Sequence, residues 1–61
     1  MDKIVKILMN RDGYTKSEAV ALIKDVLNMM EDAISCGDYI EAEEIFMDEL
    51  GLEPDYIFYI L

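Results

Sequence analysis

The chain has 61 residues, 54% of them hydrophobic, with five basic and fourteen acidic side chains, a single cysteine, no histidine and a net charge of −9. That length allows one domain, here 1–61, which buries only about 60% of the surface its unfolded chain exposes. A disordered acidic tail is excluded by the apolar fraction, a disulfide by the lone Cys36, and a spanning helix by the want of any apolar run near roughly 18 residues.

Residues 2–10, DKIVKILMN, set Ile4, Ile7 and Leu8 on one side and Lys3 and Lys6 on the other, with Asp2 in the first turn where it suits the helix dipole. This predicts a short helix; a lone strand would have no sheet to join. Arg11-Asp12-Gly13 supplies a turn, and Tyr14 stands before Thr15 as a hydrophobic staple residue would.

Thr15 to Gly37 is the longest uniform stretch. Thr15 and Glu18 have the spacing of a capping box, and Gly37 suits a left-handed exit. Two apolar seams run between them: Val20, Ile23, Leu27, Met30 and Ile34, and one position back Ala19, Leu22, Val26, Met29 and Ala33. One helix-on-helix seam uses about two positions in seven, so this helix is expected to be contacted from two directions.

Asp38 is an N-cap residue for a third helix, YIEAEEIFMDEL, in which Tyr39, Ala42, Phe46 and Leu50 keep helical spacing. Gly51 ends it, with Leu52 folding back as the apolar contact of a Schellman-type cap. Pro54 then opens a last segment, YIFYIL (56–61), apolar throughout. Its aromatic and β-branched content suits a strand, but the helical caps before it and the lack of a second strand favour a short helix. Exposed, it would aggregate, so burial in the domain or in a dimer contact is expected. The predicted architecture is all-α: three helices and a short C-terminal helix.

Charge is distributed unevenly. Residues 1–30 hold all five bases and four acids, whereas residues 31–61 hold ten acids and no base. With no basic leader at the N-terminus and no spanning segment, a soluble cytoplasmic protein without membrane contact is expected.

Several chemistries fail on the residues. Asp32, Gly37 and Glu43 have part of a calcium-loop spacing, but Ile34 and Cys36 stand where oxygen ligands belong. Glu41, Glu44 and Asp48 share a helical face, yet carboxylate bundle sites add a Glu-x-x-His, and there is no His. Cys36 likewise lacks an activating base and reads as a small, buried, reduced thiol. Met47, Gly51 and Ile57 have helix-turn-helix spacing, but a DNA-reading helix needs Lys or Arg for phosphates, and residues 31–61 have none. No cofactor, no metal, no direct nucleic-acid contact and no enzyme activity are expected.

Gly37-Asp38-Tyr39 and Asp48-Glu49-Leu50-Gly51-Leu52-Glu53-Pro54-Asp55-Tyr56 resemble small acidic proteins encoded by bacteriophages and prophages. The resemblance covers residues 37–61 and implies a context in which small proteins inhibit host nucleic-acid machinery, acidic anti-restriction and anti-CRISPR proteins among them. The expected function is a protein-binding module whose acids imitate DNA phosphates before a basic surface: Glu41, Glu44, Asp48 and Glu49, with Glu31 and Asp32 at the adjoining helix end. The rival is a structural or assembly protein acting through its apolar faces. Either way a homodimer is expected, because 61 residues without disulfide or metal leave little core. Val20, Ile23, Leu27, Met30, Tyr56 and Phe58 would form the contact, one seam of the near-neutral first half with part of the terminal segment, leaving the acidic helix outward and association tightening as salt screens the repulsion.

Overall fold

The computed structural model describes residues 2–60. Three helices, α1 (Asp2–Asp12), α2 (Lys16–Ser35) and α3 (Tyr39–Leu50), are followed by a 3₁₀ helix at Pro54–Tyr59. Helix α2 packs against both α1 and α3, and the 3₁₀ helix rests on α1 and α3. The Cα radius of gyration is 11.1 Å, near the roughly 10.5 Å of a compact chain this long.

Both ends of α2 form as the sequence indicates. Glu18 N donates to Thr15 Oγ1 at 3.2 Å and Thr15 N to Glu18 Oε1 at 2.9 Å, completing the capping box. At the other end Gly37 has φ +79°, while Gly37 N donates to Ile34 O and Asp38 N to Ala33 O, both at 2.9 Å. Those two bonds are the Schellman pair, and they satisfy carbonyls the helix would otherwise leave open.

The core is wholly apolar among the described residues: Ile4, Val5 and Leu8 from α1; Ala19, Ile23, Val26, Met30 and Ala33 from α2; Ala42, Phe46 and Leu50 from α3; and Leu52. On α2 the buried line draws members from both predicted seams, leaving Val20, Leu22, Leu27 and Ile34 half-buried and Met29 38% exposed. Contact from two directions is therefore real, but both directions belong to the same chain. Ile23 and Met30, expected at a dimer contact, are completely buried core residues. The short turns fold α1 and α3 onto α2, so the chain itself covers the centre of that face.

Tyr39 also departs from expectation. It holds the spacing of the buried row of α3, yet it is 64% exposed because it occupies the first helical position, beyond the edge of the core.

The last segment is neither α-helix nor strand. Pro54 takes the first helical position as expected, but the winding is 3₁₀, which has about three residues per turn. Residues three apart therefore eclipse. Ile57 and Ile60 lie half-buried against the core, and the Tyr56 and Tyr59 rings meet at a tilt of 43° with centroids 5.9 Å apart. Phe58 points away and is 83% exposed, so this chain alone does not bury the segment as expected. Leu61, the end of the predicted helix, lies outside the described residues. Lys3 Nζ sits 4.4 Å from the Tyr59 ring centre and 3.3 Å from its hydroxyl, tying α1 to the 3₁₀ helix.

Candidate functional site

The acidic face of α3 is set by what the helix buries. Ala42, Phe46 and Leu50 fix its inward side, so at 100° per residue Glu44 and Asp48 fall opposite and Glu41 falls close beside them. All three are exposed, as is Glu49. Asp38 anchors the start of the face by accepting from Glu41 N at 3.0 Å.

The six acids expected to act together are only partly assembled. Asp32 and Glu41 line one shallow groove between α2 and α3, together with Met29, Ala33, Cys36 and Ile45. Glu44 and Asp48 continue outward from it along α3. Glu31 stands apart: it follows Leu27 by four and precedes Ile34 by three, whereas Asp32 follows Met29 by three and precedes Cys36 by four. The two neighbours thus leave α2 about 100° apart, and only Asp32 turns to the groove.

Among the described residues, the acids from Glu31 onward form no ion pair with any base of the chain. On α3, Glu41, Glu44 and Asp48 succeed one another at three and four residues, a spacing at which like charges repel by a few tenths of a kcal/mol per pair. The face carries that repulsion uncompensated. Asp48 and Glu49 also stand in the last turn, where the dipole favours cations, and that turn has none of its own.

The cation comes from α1. Arg11 Nη1 donates to Gly51 O at 2.9 Å and Nη2 to Leu50 O at 2.6 Å. The same guanidinium is held by Asp12, with Nε to Oδ1 at 3.1 Å and Nη2 to Oδ2 at 2.7 Å. The hydrogen bond from Arg11 keeps the Asp12 carboxyl below the usual carboxylate range, and the same bond raises Arg11 further. Reading α1 as ending at Asn10 and Arg11 as part of a turn missed this role. The available signal was an α3 with no base in its last turn and an Arg at the close of α1.

The cap at Gly51 also differs from expectation. Gly51 has φ +63° and its N–H donates to Met47 O at 2.8 Å, a single bond of the αL type rather than the expected Schellman pair. Leu52 still folds back and is buried. Farther along, the carbonyls of Leu50 and Gly51 accept from Arg11.

Cys36 is exposed, not buried, because it is the residue after the last turn of α2 and lies on the groove side. No three of the described Asp, Glu or Cys residues converge in a way that would hold a metal. The helix-turn-helix spacing of Met47, Gly51 and Ile57 does not give that motif: the element after the turn is a six-residue 3₁₀ helix, too short to fill a groove of DNA. No described helix is long and apolar enough to cross a membrane. No protein-family model, curated protein or solved structure matches the chain.

Proposed function

We propose that this chain is a small acidic protein-binding module whose α3 face docks on a basic protein surface, and that it acts as a phage-type inhibitor of a host nucleic-acid-binding or defence protein by occupying its phosphate-binding cleft. The observation that supports this is the outer face of α3: Glu41, Glu44 and Asp48 are exposed, mutually repulsive and without a cation of their own. A basic partner removes that repulsion, so part of the gain on binding is relief of strain already present in the free protein. Such charge selects basic partners and speeds encounter more than it fixes affinity. The residues have a recognition role and no catalytic one.

Affinity capture from a host lysate at low salt tests the reading. Basic nucleic-acid-binding proteins should be retained, and Glu44→Lys with Asp48→Lys should release them. Retention that survives the double reversal refutes the assignment of the α3 face.

A second reading, an assembly protein, is favoured by Phe58 at 83% and Ile40 at 73% exposure. Under it Phe58→Asp abolishes function and acid reversal is nearly silent; under the first reading the pattern inverts.

A further inference from the structure

Two of the five bases are engaged within the chain, Arg11 on the end of α3 and Lys3 on Tyr59. Lys6, Lys16 and Lys24 have no hydrogen bond or ion pair among the described residues. Lys16 and Lys24 are also part of a row at a spacing of four, Lys16–Val20–Lys24, which lines a shallow, mostly apolar groove on α2 with Ser17 and Ala21. The row is charge, half-buried aliphatic, charge.

Helix α3 carries the same row with the sign inverted, Glu41–Ile45–Glu49. Its central Ile45 is likewise half-buried and its glutamates exposed, and Glu41 and Ile45 line the groove that Met29 and Asp32 share. Each row runs over eight residue steps, about 12 Å at 1.5 Å per step. Laid side by side they pair two cations with two anions and cover one aliphatic side chain with the other.

We infer that the Lys16–Val20–Lys24 row of one copy receives the Glu41–Ile45–Glu49 row of another. The contact cannot be reciprocal within a single pair. Val20 and Met29 are nine residues apart, half a turn in register at 100° per residue, so the basic row and the groove that Glu41 lines face opposite sides of α2. A contact between different patches is head-to-tail, and the free rows at each end admit further copies. The near-neutral half of the chain is thus used, but against the acidic half of a neighbour rather than against itself. The overall charge of −9 opposes approach, and beyond about 8 Å this is screened at physiological salt while the closer row-to-row pairs are not. An interface of one row is small and the association weak. The inference does not rest on the proposed function. It adds a consequence for it: self-association and a basic partner compete for Glu41, which belongs both to the row and to the outer face of α3.

Charge exchange tests it. Lys16→Glu with Lys24→Glu makes both rows acidic; Glu41→Lys with Glu49→Lys makes both rows basic. Sedimentation of the wild type at 0.15 M salt, up to about 1 mM, should show an average mass that climbs with concentration and does not level off at a dimer. Each double variant alone should stay monomeric, and an equimolar mixture should associate again with at least tenfold stronger affinity than either variant. Both variants remain net acidic, so recovery in the mixture cannot come from overall charge. Far-ultraviolet circular dichroism confirms that each variant is helical, which these exposed positions should permit. The inference is overturned if the wild type is monomeric throughout, if it stops at a dimer indifferent to the substitutions, or if the mixture fails to associate. It is equally overturned if monomeric wild type binds phosphatidylglycerol vesicles through Lys16 and Lys24, which would make the row a lipid-headgroup site.

Discussion

Helix α2 closes both of its ends with residues that adjoin it in the sequence, whereas α3 opens on its own Asp38 and ends on a guanidinium supplied from forty residues away. The first arrangement is local, and could form in an isolated hairpin. The second requires α1 and α3 to be in place together. Acidity accumulates on the helix whose end is closed from outside. With its C-terminal charge complement moved onto α1, α3 is free to present acids along its whole outer length, including the last turn where a helix standing alone would want lysines.

The largest loss of stability is expected from inside α3. Phe46 is fully buried and is the largest such side chain. Phe46→Ala should cost about 3–5 kcal/mol, against roughly 3–9 kcal/mol of total stability for a chain this long. Urea unfolding followed by circular dichroism should find that this variant has lost about a third or more of the wild-type stability at 25 °C, whereas Glu44→Ala, on the opposite face, should match or slightly exceed the wild type.

Arg11 comes next. Arg11→Ala removes two hydrogen bonds to carbonyls and the pair with Asp12. Because the side chain is 40% exposed, the full value of a buried charged bond does not apply, and a loss of about 1–2 kcal/mol is expected. Arg11→Lys should recover less than half, since an ammonium cannot hold Leu50 O, Gly51 O and the Asp12 carboxylate with a planar fork. Amide exchange sharpens the test. The Gly51 amide, which donates to Met47 O, should lose protection in Arg11→Ala while those of Ala19 to Met30 keep it. Uniform loss across both regions would show that the clamp stabilises the whole chain and not the end of α3.

What the residues disclosed in advance follows the same division. The capping box at Thr15, the exit at Gly37, the Asp38 cap and the all-α bundle were legible because each depends on a few adjacent side chains and on helical period. The Arg11 clamp, the exposure of Cys36 and the separation of Glu31 from Asp32 were not, because each depends on which neighbour a helix turns toward. The terminal segment is intermediate. Six apolar residues determine that something is buried, but only the 3₁₀ winding decides that Ile57 and Ile60 go inward and Phe58 goes out. Ile23 and Met30, two of the six residues expected at a dimer contact, lie in the core for the same reason: periodicity identifies a wide apolar face, and two neighbours in the same chain occupy its centre.

The smallest effects test the local end. Thr15→Ala should cost about 1 kcal/mol, the usual value of an N-cap. The cap also has a pH dependence whose sign is fixed. The Thr15 backbone N–H, and then its side chain, hold Glu18 below the ordinary glutamate range. A carboxyl whose folded value is depressed adds stability that is fully present above its unfolded value, about 4.3, and is lost as pH falls through the lower folded value. Asp12, depressed by Arg11, acts in the same direction. Relief of the general acidic repulsion runs the opposite way as pH falls, so the raw stability profile of the wild type mixes the two. A difference profile separates them. Glu18→Gln keeps the shape of the side chain and removes its titration, and both proteins share every other acid. The wild-type advantage over Glu18→Gln should be constant near neutral pH and should shrink below about pH 4. If it grows on acidification, the Thr15 N–H does not favour the charged carboxylate, and α2 is not closed by the box its sequence spells.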